Sequence, residues 1–274
     1  MKNISFTKMS GAGNDFILID GDDYPELLLS EKTIQKLCDR HNGIGADGII
    51  LISSSKQYDF VMNYYNADGS TGSLCGNGAR CAIKFALDTK RIKDKSTRFS
   101  SNNSEYSGEI LENGTIRFNL NPPFDLRKNI QLRAAGQDIT AHFVNTGSPH
   151  VVITVEDLNN IPVEVIGKEI RYFTEFAPDG VNVNFVQIVN EEIHIRTYER
   201  GVESETLACG TGSVAAAIIL HGTGGIKPPV TIIPRSKDKL FVNFIFKNDE
   251  FSKVSLTGPV TEVYKGQFQI NLVE

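Results

Sequence analysis

A cysteine set directly before a Gly-x-Gly turn occurs twice in this chain, in LCGNGAR (Leu74 to Arg80) and again half a chain later in ACGTGS (Ala208 to Ser213). Each copy opens a helix-like run, Ala79 to Leu87 in the first case and Ser213 to Leu220 in the second. A pattern repeated in this way asks for two halves of similar plan, each presenting a helix N-terminus with a thiol on it. The start of a helix offers backbone N–H groups without intrahelical partners and the positive end of the dipole, and glycines let an anion come close to that backbone. A thiol with an ordinary pKa of about 8.5 is only a few per cent ionised at neutral pH. A helix terminus contributes up to about 2 kcal/mol in a partly buried geometry, enough to bring that pKa to near 7, where a general base works best. A lone cysteine reads as a small buried hydrophobe. Two cysteines in one repeated motif read as a functional pair.

The strand and helix signals agree with two halves. Ser5 to Lys8 and Phe16 to Asp20 read as strands joined by the turn GAGND, which displays Asn14. Ser30 is the expected N-cap of a helix from Glu31 to Arg40, with Ile34, Leu37 and Cys38 on one face, so Cys38 belongs to the core. Strands at Ile49 to Ser53 and Tyr58 to Tyr65 precede the turn from Asn66 to Gly69 and the first cysteine motif. Short strands follow at Arg98 to Ser100, Tyr106 to Leu111 and Thr115 to Leu120, and Pro122 and Pro123 mark a boundary. The second half repeats the plan: strands at Ala141 to Val144 and His150 to Val155, a helix at Val163 to Tyr172, and a hairpin from Val181 to Val189 and Glu192 to Tyr198 ahead of the second motif. The tail adds strands at Val230 to Ile233, Leu240 to Phe246, Lys253 to Leu256, Val260 to Tyr264 and Phe268 to Leu272. The expected domains are residues 1–120 with 265–274, carrying Cys75, and residues 121–264, carrying Cys209.

Composition excludes several classes. A formal net charge of −5 argues against a nucleic-acid or membrane-surface partner. The start, MKNISFTKMS, is neither a signal peptide nor a lipidation signal, and no apolar run has the length of a membrane span, so a cytoplasmic location is expected. The four cysteines and five histidines show no zinc-type spacing, and no metal is expected. Cys75 and Cys81, six positions apart on one helix, would be about 9 Å apart along its axis and turned away from each other, so no disulfide is expected there.

Two helix starts that meet at one ligand would suit a carboxylate, with a sulfur to either side. Inverting a carbon beside a carboxylate requires removing a proton from one face and delivering one to the other. A thiolate and a thiol do this and exchange roles in the reverse direction. The motifs KMSGAGNDF, GIGADG, NADGS, CGNGARC, TGSPH, GVNVNF, YERG, ACGTG and LTGPV together resemble the diaminopimelate epimerases nearly end to end. The resemblance implies an α/β fold of α+β type: two pseudo-symmetric domains, each a mostly antiparallel sheet wrapped around a central helix. It implies a cofactor-independent isomerase, without pyridoxal phosphate, that interconverts LL- and meso-2,6-diaminopimelate for lysine and peptidoglycan synthesis, in a family whose members often form homodimers.

Carried over position by position, the resemblance makes Cys75 and Cys209 the acid/base pair. Gly76, Asn77, Gly210 and Thr211 become the cradle of the reacting carboxylate. Asn66, Asn182 and Arg200 grip the distal carboxylate, Glu199 receives the distal ammonium, and Asn14 is a further substrate contact. His150 and Glu199 lie where the family tunes its cysteines. Gly48 stands where some members carry a substrate-touching Gln, and Ser148 where many have Asn. Two alternatives remain open: a proline racemase or hydroxyproline epimerase, which has no second amino-acid end to bind, and a non-catalytic phosphate- or nucleotide-binding module. Neither GxGxxG with a following helix nor GxxxxGK[ST] is present to favour the latter.

Overall fold

The structure is a computed structural model that describes residues 2–72 and 75–270. Leu74 of the first motif, and Asn271 and Leu272 of the expected last strand, lie outside the described residues. The chain divides into two compact units, one reaching to Phe118 and resuming at Pro259, the other spanning Asn119–Gly258.

In the first unit the elements are β1 (Lys2–Gly11), β2 (Asn14–Asp20), α1 (Glu31–Cys38), β3 (Gly48–Ser53), β4 (Phe60–Asn66), α2 (Gly76–Asp88), β5 (Ser96–Ser101) and β6 (Ser104–Ile110). The strand β7 (Ile116–Asn119) leads the chain onward. A two-residue turn at Ala12 and Gly13, both at positive φ, closes the β1–β2 hairpin and sets Asn14 at the first position of β2. The sheet is mixed: β1 is antiparallel to β2 and to the C-terminal strand Thr261–Ile270, while β2–β3 and β4–β5 are parallel and β3–β4 and β5–β6 antiparallel. The central helix α2 packs on β1, β2, β3, β4 and β6, and every residue from Gly76 to Ile83 is buried. A separate cluster holds α1 through Ile34, Leu37 and Cys38 against Ile17, Ile19 and Ile49. Ser30 caps α1 as expected, accepting from the Thr33 N–H. The helix stops at Cys38, short of Arg40, because Asp39 turns extended and its carboxylate takes the His41 and Asn42 N–H groups.

The second unit repeats this order with β8 (Phe124–Ala134), β9 (Gln137–Asn145), β10 (Pro149–Thr154), α3 (Val163–Arg171), β11 (Asn182–Val189), β12 (Glu192–Glu199), β13 (Ser204–Thr206), α4 (Gly210–Gly224), β14 (Val230–Ile233), β15 (Leu240–Lys247) and β16 (Glu250–Gly258). Pairs β10–β11 and β12–β14 are parallel, and β8–β9, β9–β10, β11–β12, β12–β13, β14–β15 and β15–β16 antiparallel. Thus β9, β10, α3, β11, β12 and α4 correspond in order and pairing to β1, β2, α1, β3, β4 and α2. The run SVAAAIIL makes α4 apolar on all sides, which requires burial all round, and Gly210 to Leu220 are buried within the strands.

Two expectations change. The polar segment after Pro123 is a long strand, β8. It buries only Leu132 and Ala134 and breaks register around Asp125 and Asn129, both at positive φ, so it carries no clean alternation. The last two strands expected from the sequence are one. Gly266, which reads as a break, faces Phe6 of β1, and a β-carbon there would lie 2.7 Å from the Phe6 Cζ. The glycine makes room for a cross-strand ring and the strand runs on.

Candidate active site

Each unit builds a cysteine cap in its own way. In the first, Cys75 is the N-cap of α2 at φ −109° and ψ 107°, and its Sγ accepts from the Gly78 N–H at 3.3 Å. The N–H groups of Gly76 and Asn77 precede the first helical bond, which Ala79 donates to the Cys75 carbonyl at 2.8 Å. Asn14 points its Oδ1 at this cap, accepting from Asn77 Nδ2 at 3.3 Å and from the Cys75 thiol at 3.6 Å. Its Nδ2 donates to Asp47 Oδ2 at 2.5 Å, which fixes the orientation of the amide. The fully buried Arg80 donates to Asn77 Oδ1 at 3.1 Å and to the Gly76 carbonyl at 3.3 Å.

Asp47 sits in a charge cluster. Arg40 bridges Asp15 and Asp47 at 2.7 Å each, and the buried Lys8 pairs with Asp15 at 2.7 Å. Burial alone would raise the Asp15 carboxyl, but the hydrogen bonds and charges of Arg40 and Lys8 outweigh it and hold it down to about 2. Burial and the neighbouring Asp15 charge push the Asp47 carboxyl up. Sequence reasoning missed Asp47 and Arg80, although both lie in the quoted motifs GIGADG and CGNGARC. Asn66 closes its own turn, with Nδ2 on Ser70 Oγ at 3.0 Å. At Gly48 the space of a side chain is already filled: a β-carbon would lie 2.6 Å from the Tyr64 ring and 2.5 Å from the Tyr65 carbonyl oxygen.

In the second unit Cys209 is the N-cap of α4 at φ −117° and ψ 115° and is buried. Gly210 and Thr211 precede Ser213, whose N–H donates to the Cys209 carbonyl at 2.9 Å. The Cys209 Sγ lies 3.6 Å from Thr211 Oγ1, which is 2.9 Å from His150 Nε2. His150 Nδ1 is 3.1 Å from Asn184 Nδ2, and Asn184 Oδ1 accepts from Thr197 Oγ1 at 3.0 Å. Burial, with a smaller push from the Arg200 charge, lowers the His150 pKa to about 3, so the imidazole is neutral at ordinary pH. Asn184 and Thr197 were missed. The signal was in GVNVNF, where asparagines two apart share one face of an otherwise apolar strand.

Asn182 accepts from the Arg200 backbone N–H at 2.9 Å and donates to Ser148 Oγ at 3.2 Å and to the Pro149 carbonyl at 3.0 Å. It therefore fixes the backbone that carries Arg200. The Arg200 guanidinium is half-buried and donates to the Asp179 carbonyl at 3.3 Å, and burial and the nearby Arg171 lower its pKa. Glu199, at the end of β12, accepts from Thr206 Oγ1 at 2.9 Å. The other two cysteines are ordinary core residues: burial pushes the Cys38 thiol up to about 12 and raises the Cys81 thiol as well. Among the described residues no cluster of three or more His, Cys, Asp or Glu is arranged to hold a metal ion, and no helix is long and apolar enough to cross a membrane.

Among solved structures, a PhzF-family phenazine biosynthesis protein of Bacillus anthracis superposes with a TM-score of 0.74 at 14% identity, over 98% of this chain and 100% of that one. A hydroxyproline epimerase of Agrobacterium vitis superposes with a TM-score of 0.73 at 13% identity, over 97% of this chain and 92% of that one. The fold is the one these proteins share. Sequence narrows the class further. Residues 6–123 and 142–260 match the family model described as diaminopimelate epimerase. The chain is 40% identical to the diaminopimelate epimerase of Aquifex aeolicus, over 99% of this chain and 100% of the relative. It is 43% identical to that of Chlorobaculum tepidum, over 94% of this chain and 98% of the relative. The chain belongs to the diaminopimelate epimerase family and is an isomerase.

Proposed function

We propose that the protein interconverts LL- and meso-2,6-diaminopimelate by a two-thiol mechanism with Cys75 and Cys209 as the acid/base pair. The observation that carries this reading is the placement of both cysteines as N-caps of central helices at corresponding points of the two units. One sulfur, as thiolate, takes the α-proton, and the C–H electron pair spreads into the adjacent carboxylate. The other sulfur, as thiol, gives its proton to the opposite face of the same carbon, so that the reaction ends with thiol and thiolate exchanged. The early N–H groups of α2 and α4, at Gly76, Asn77, Gly210 and Thr211, are suited to the charge that builds on that carboxylate. Arg200 and the amides Asn66, Asn182 and Asn14 suit the second amino-acid end, with Glu199 for its ammonium. The chemistry needs no cofactor, and we place it in the cytoplasm, in a homodimeric enzyme of lysine and peptidoglycan-precursor synthesis.

Relatives 34 to 43% identical over nearly the whole chain carry the diaminopimelate epimerase name, whereas likeness to a hydroxyproline epimerase is confined to fold at 13% identity. This favours the two-ended substrate over proline. Proton NMR of LL-diaminopimelate in D2O tests the reading. Loss of one α-proton signal with appearance of the meso isomer, abolished in Cys75→Ser and in Cys209→Ser, is expected. Exchange that survives either substitution would sink the two-thiol mechanism.

A further inference from the structure

The connection between β12 and β13 carries Arg200 at its first position and a carboxylate, Glu203, at its last. The Glu203 N–H donates to the Glu199 carbonyl at 2.8 Å, and the Glu203 carbonyl accepts from the Tyr198 hydroxyl at 2.9 Å. These bonds close the connection and fix the point from which the Glu203 side chain starts. An arginine and a glutamate so placed would be expected to pair with each other. Among the described residues, however, no carboxylate lies within ion-pair distance of the Arg200 guanidinium, whose hydrogen bond goes to the Asp179 carbonyl at 3.3 Å.

Glu203 is taken by Arg171, the last residue of α3. Arg171 Nε donates to Glu203 Oε1 at 3.1 Å, and the same oxygen accepts from the Gly201 N–H at 3.0 Å. Burial would raise the Glu203 carboxyl, but the Gly201 N–H and Arg171 outweigh it and hold it down, so it is charged at ordinary pH. Arg171 is itself held in place from several sides. Its guanidinium stacks 4.6 Å over the Tyr172 ring, and its Nη1 donates to the Asp179 carbonyl at 3.2 Å. Gly180, at φ 65°, leaves the space it fills, since a β-carbon there would overlap Arg171 Nη1.

Two guanidiniums thus share the Asp179 carbonyl oxygen, and only that of Arg171 has a counter-ion. The Asp179 carboxylate is exposed and pairs with neither. Burial and the Arg171 charge both work against the Arg200 cation, and the charges of Asp179 and Glu203 offset them only in part. A half-buried guanidinium in this condition gains more from an arriving anion than one that must first give up a partner.

We propose that Arg171 is a positioning residue for Arg200: by occupying Glu203 it keeps the Arg200 guanidinium from pairing within its own connection and holds it ready for an anionic group. The proposal rests on the reading above, in which that group is the second carboxylate of diaminopimelate. Arg171 acts on the substrate only through Arg200.

Labelling of Arg200 by phenylglyoxal, followed by mass spectrometry, tests the pairing without substrate, because a guanidinium engaged by a carboxylate reacts slowly. Arg171→Gln releases Glu203 to Arg200, and the labelling rate should fall about fivefold, the scale of one partly exposed ion pair. In Arg171→Gln/Glu203→Gln no carboxylate is released, and the rate should return to that of the wild type. KM for LL-diaminopimelate should follow the same pattern. It rises about fivefold in Arg171→Gln with kcat nearly unchanged, because the substrate then competes with Glu203, and it recovers in the double variant. Glu203→Gln alone keeps an oxygen for Arg171 and for the Gly201 N–H and should match the wild type in both measurements. If the ion pair only braced the fold, the double variant would do no better than Arg171→Gln. That outcome overturns the proposal, as does wild-type labelling of Arg200 in Arg171→Gln. Should Arg171→Gln fail to fold, a KM raised about fivefold in Glu203→Gln overturns it equally. The expected labelling with an unmoved KM leaves the role of Arg171 standing and overturns the assignment of the second carboxylate to Arg200.

Discussion

Asn14 Oδ1 stands 3.6 Å from Cys75 Sγ, and Asp47, by taking the Asn14 NH2 at 2.5 Å, ensures that oxygen rather than nitrogen faces the sulfur. Asp47 also accepts from the Asp15 N–H at 3.1 Å and from Arg40 at 2.7 Å, so its carboxylate is the point at which the Cys75 cap is tied to the β1–β3 loops. Asp47→Asn lets the Asn14 amide turn over and loosens the cap. Epimerase kcat should fall by roughly 10- to 100-fold, the scale on which a misplaced catalytic group lowers rates, while circular dichroism shows an intact fold. Unchanged kcat in a folded variant would show that Asn14 needs no such tether.

The neutrality of His150 predicts a pH dependence of stability. Its pKa is about 3 in the folded chain and about 6.5 when unfolded, so between these values the unfolded state binds the extra proton. Stability from this group is therefore complete above about pH 6.5 and is lost as pH falls toward 3, at up to about 1.4 kcal/mol per unit. Urea melts between pH 4 and 8 should show this slope in the wild-type protein and a correspondingly shallower one in His150→Gln. Equal slopes would mean that the ring takes up its proton at the same pH in the fold as in the unfolded chain.

What the sequence reveals, and what it hides, follows from how local each signal is. The two CGxG motifs lie within single helix starts, and the α1 cap at Ser30 and the helix starting at Val163 are equally local, so chain order alone exposes them. The strand β8 shows no periodicity because most of it is exposed, and the unbroken C-terminal strand is hidden because the fit of Gly266 against Phe6 depends on a residue at the other end of the chain. The same holds at the site. Cys75 and Cys209 stand out in sequence, whereas Asp47, Asn184 and Thr197 act through partners on neighbouring strands that only the register brings together.

Gly48 is the clearest case of such a dependence. A β-carbon at this position would meet the Tyr65 carbonyl at 2.5 Å and the Tyr64 ring at 2.6 Å, and the first of these is backbone of the paired strand β4. Gly48→Ala must therefore push β3 and β4 apart at the end that carries Asn66. A loss of about 1–3 kcal/mol in urea unfolding is expected, the usual cost of overpacking a filled interior. Wild-type stability in Gly48→Ala would show that Tyr64 can move aside, and that a longer side chain at this position could be accommodated.

Gly212 lies between the cysteine cap and the hydrogen bonds that run from Asn184 through His150 to Thr211. A β-carbon there would lie 2.3 Å from Asn184 Oδ1 and 3.3 Å from Cys209 Cβ, in the first turn of a helix whose every side is buried. Asn184 cannot retreat without giving up His150 Nδ1, the Val151 carbonyl or Thr197, since all three bonds come from one amide. Gly212→Ala should thus do two things together. It should lower stability by about 1–3 kcal/mol through overpacking, and lower kcat further than that instability explains, because His150 loses the Asn184 bond that holds its ring against Thr211, beside Cys209. Thermal melts and steady-state rates below the melting range separate the two effects. A variant that is destabilised yet turns over at the wild-type rate would show that Asn184 matters to packing alone.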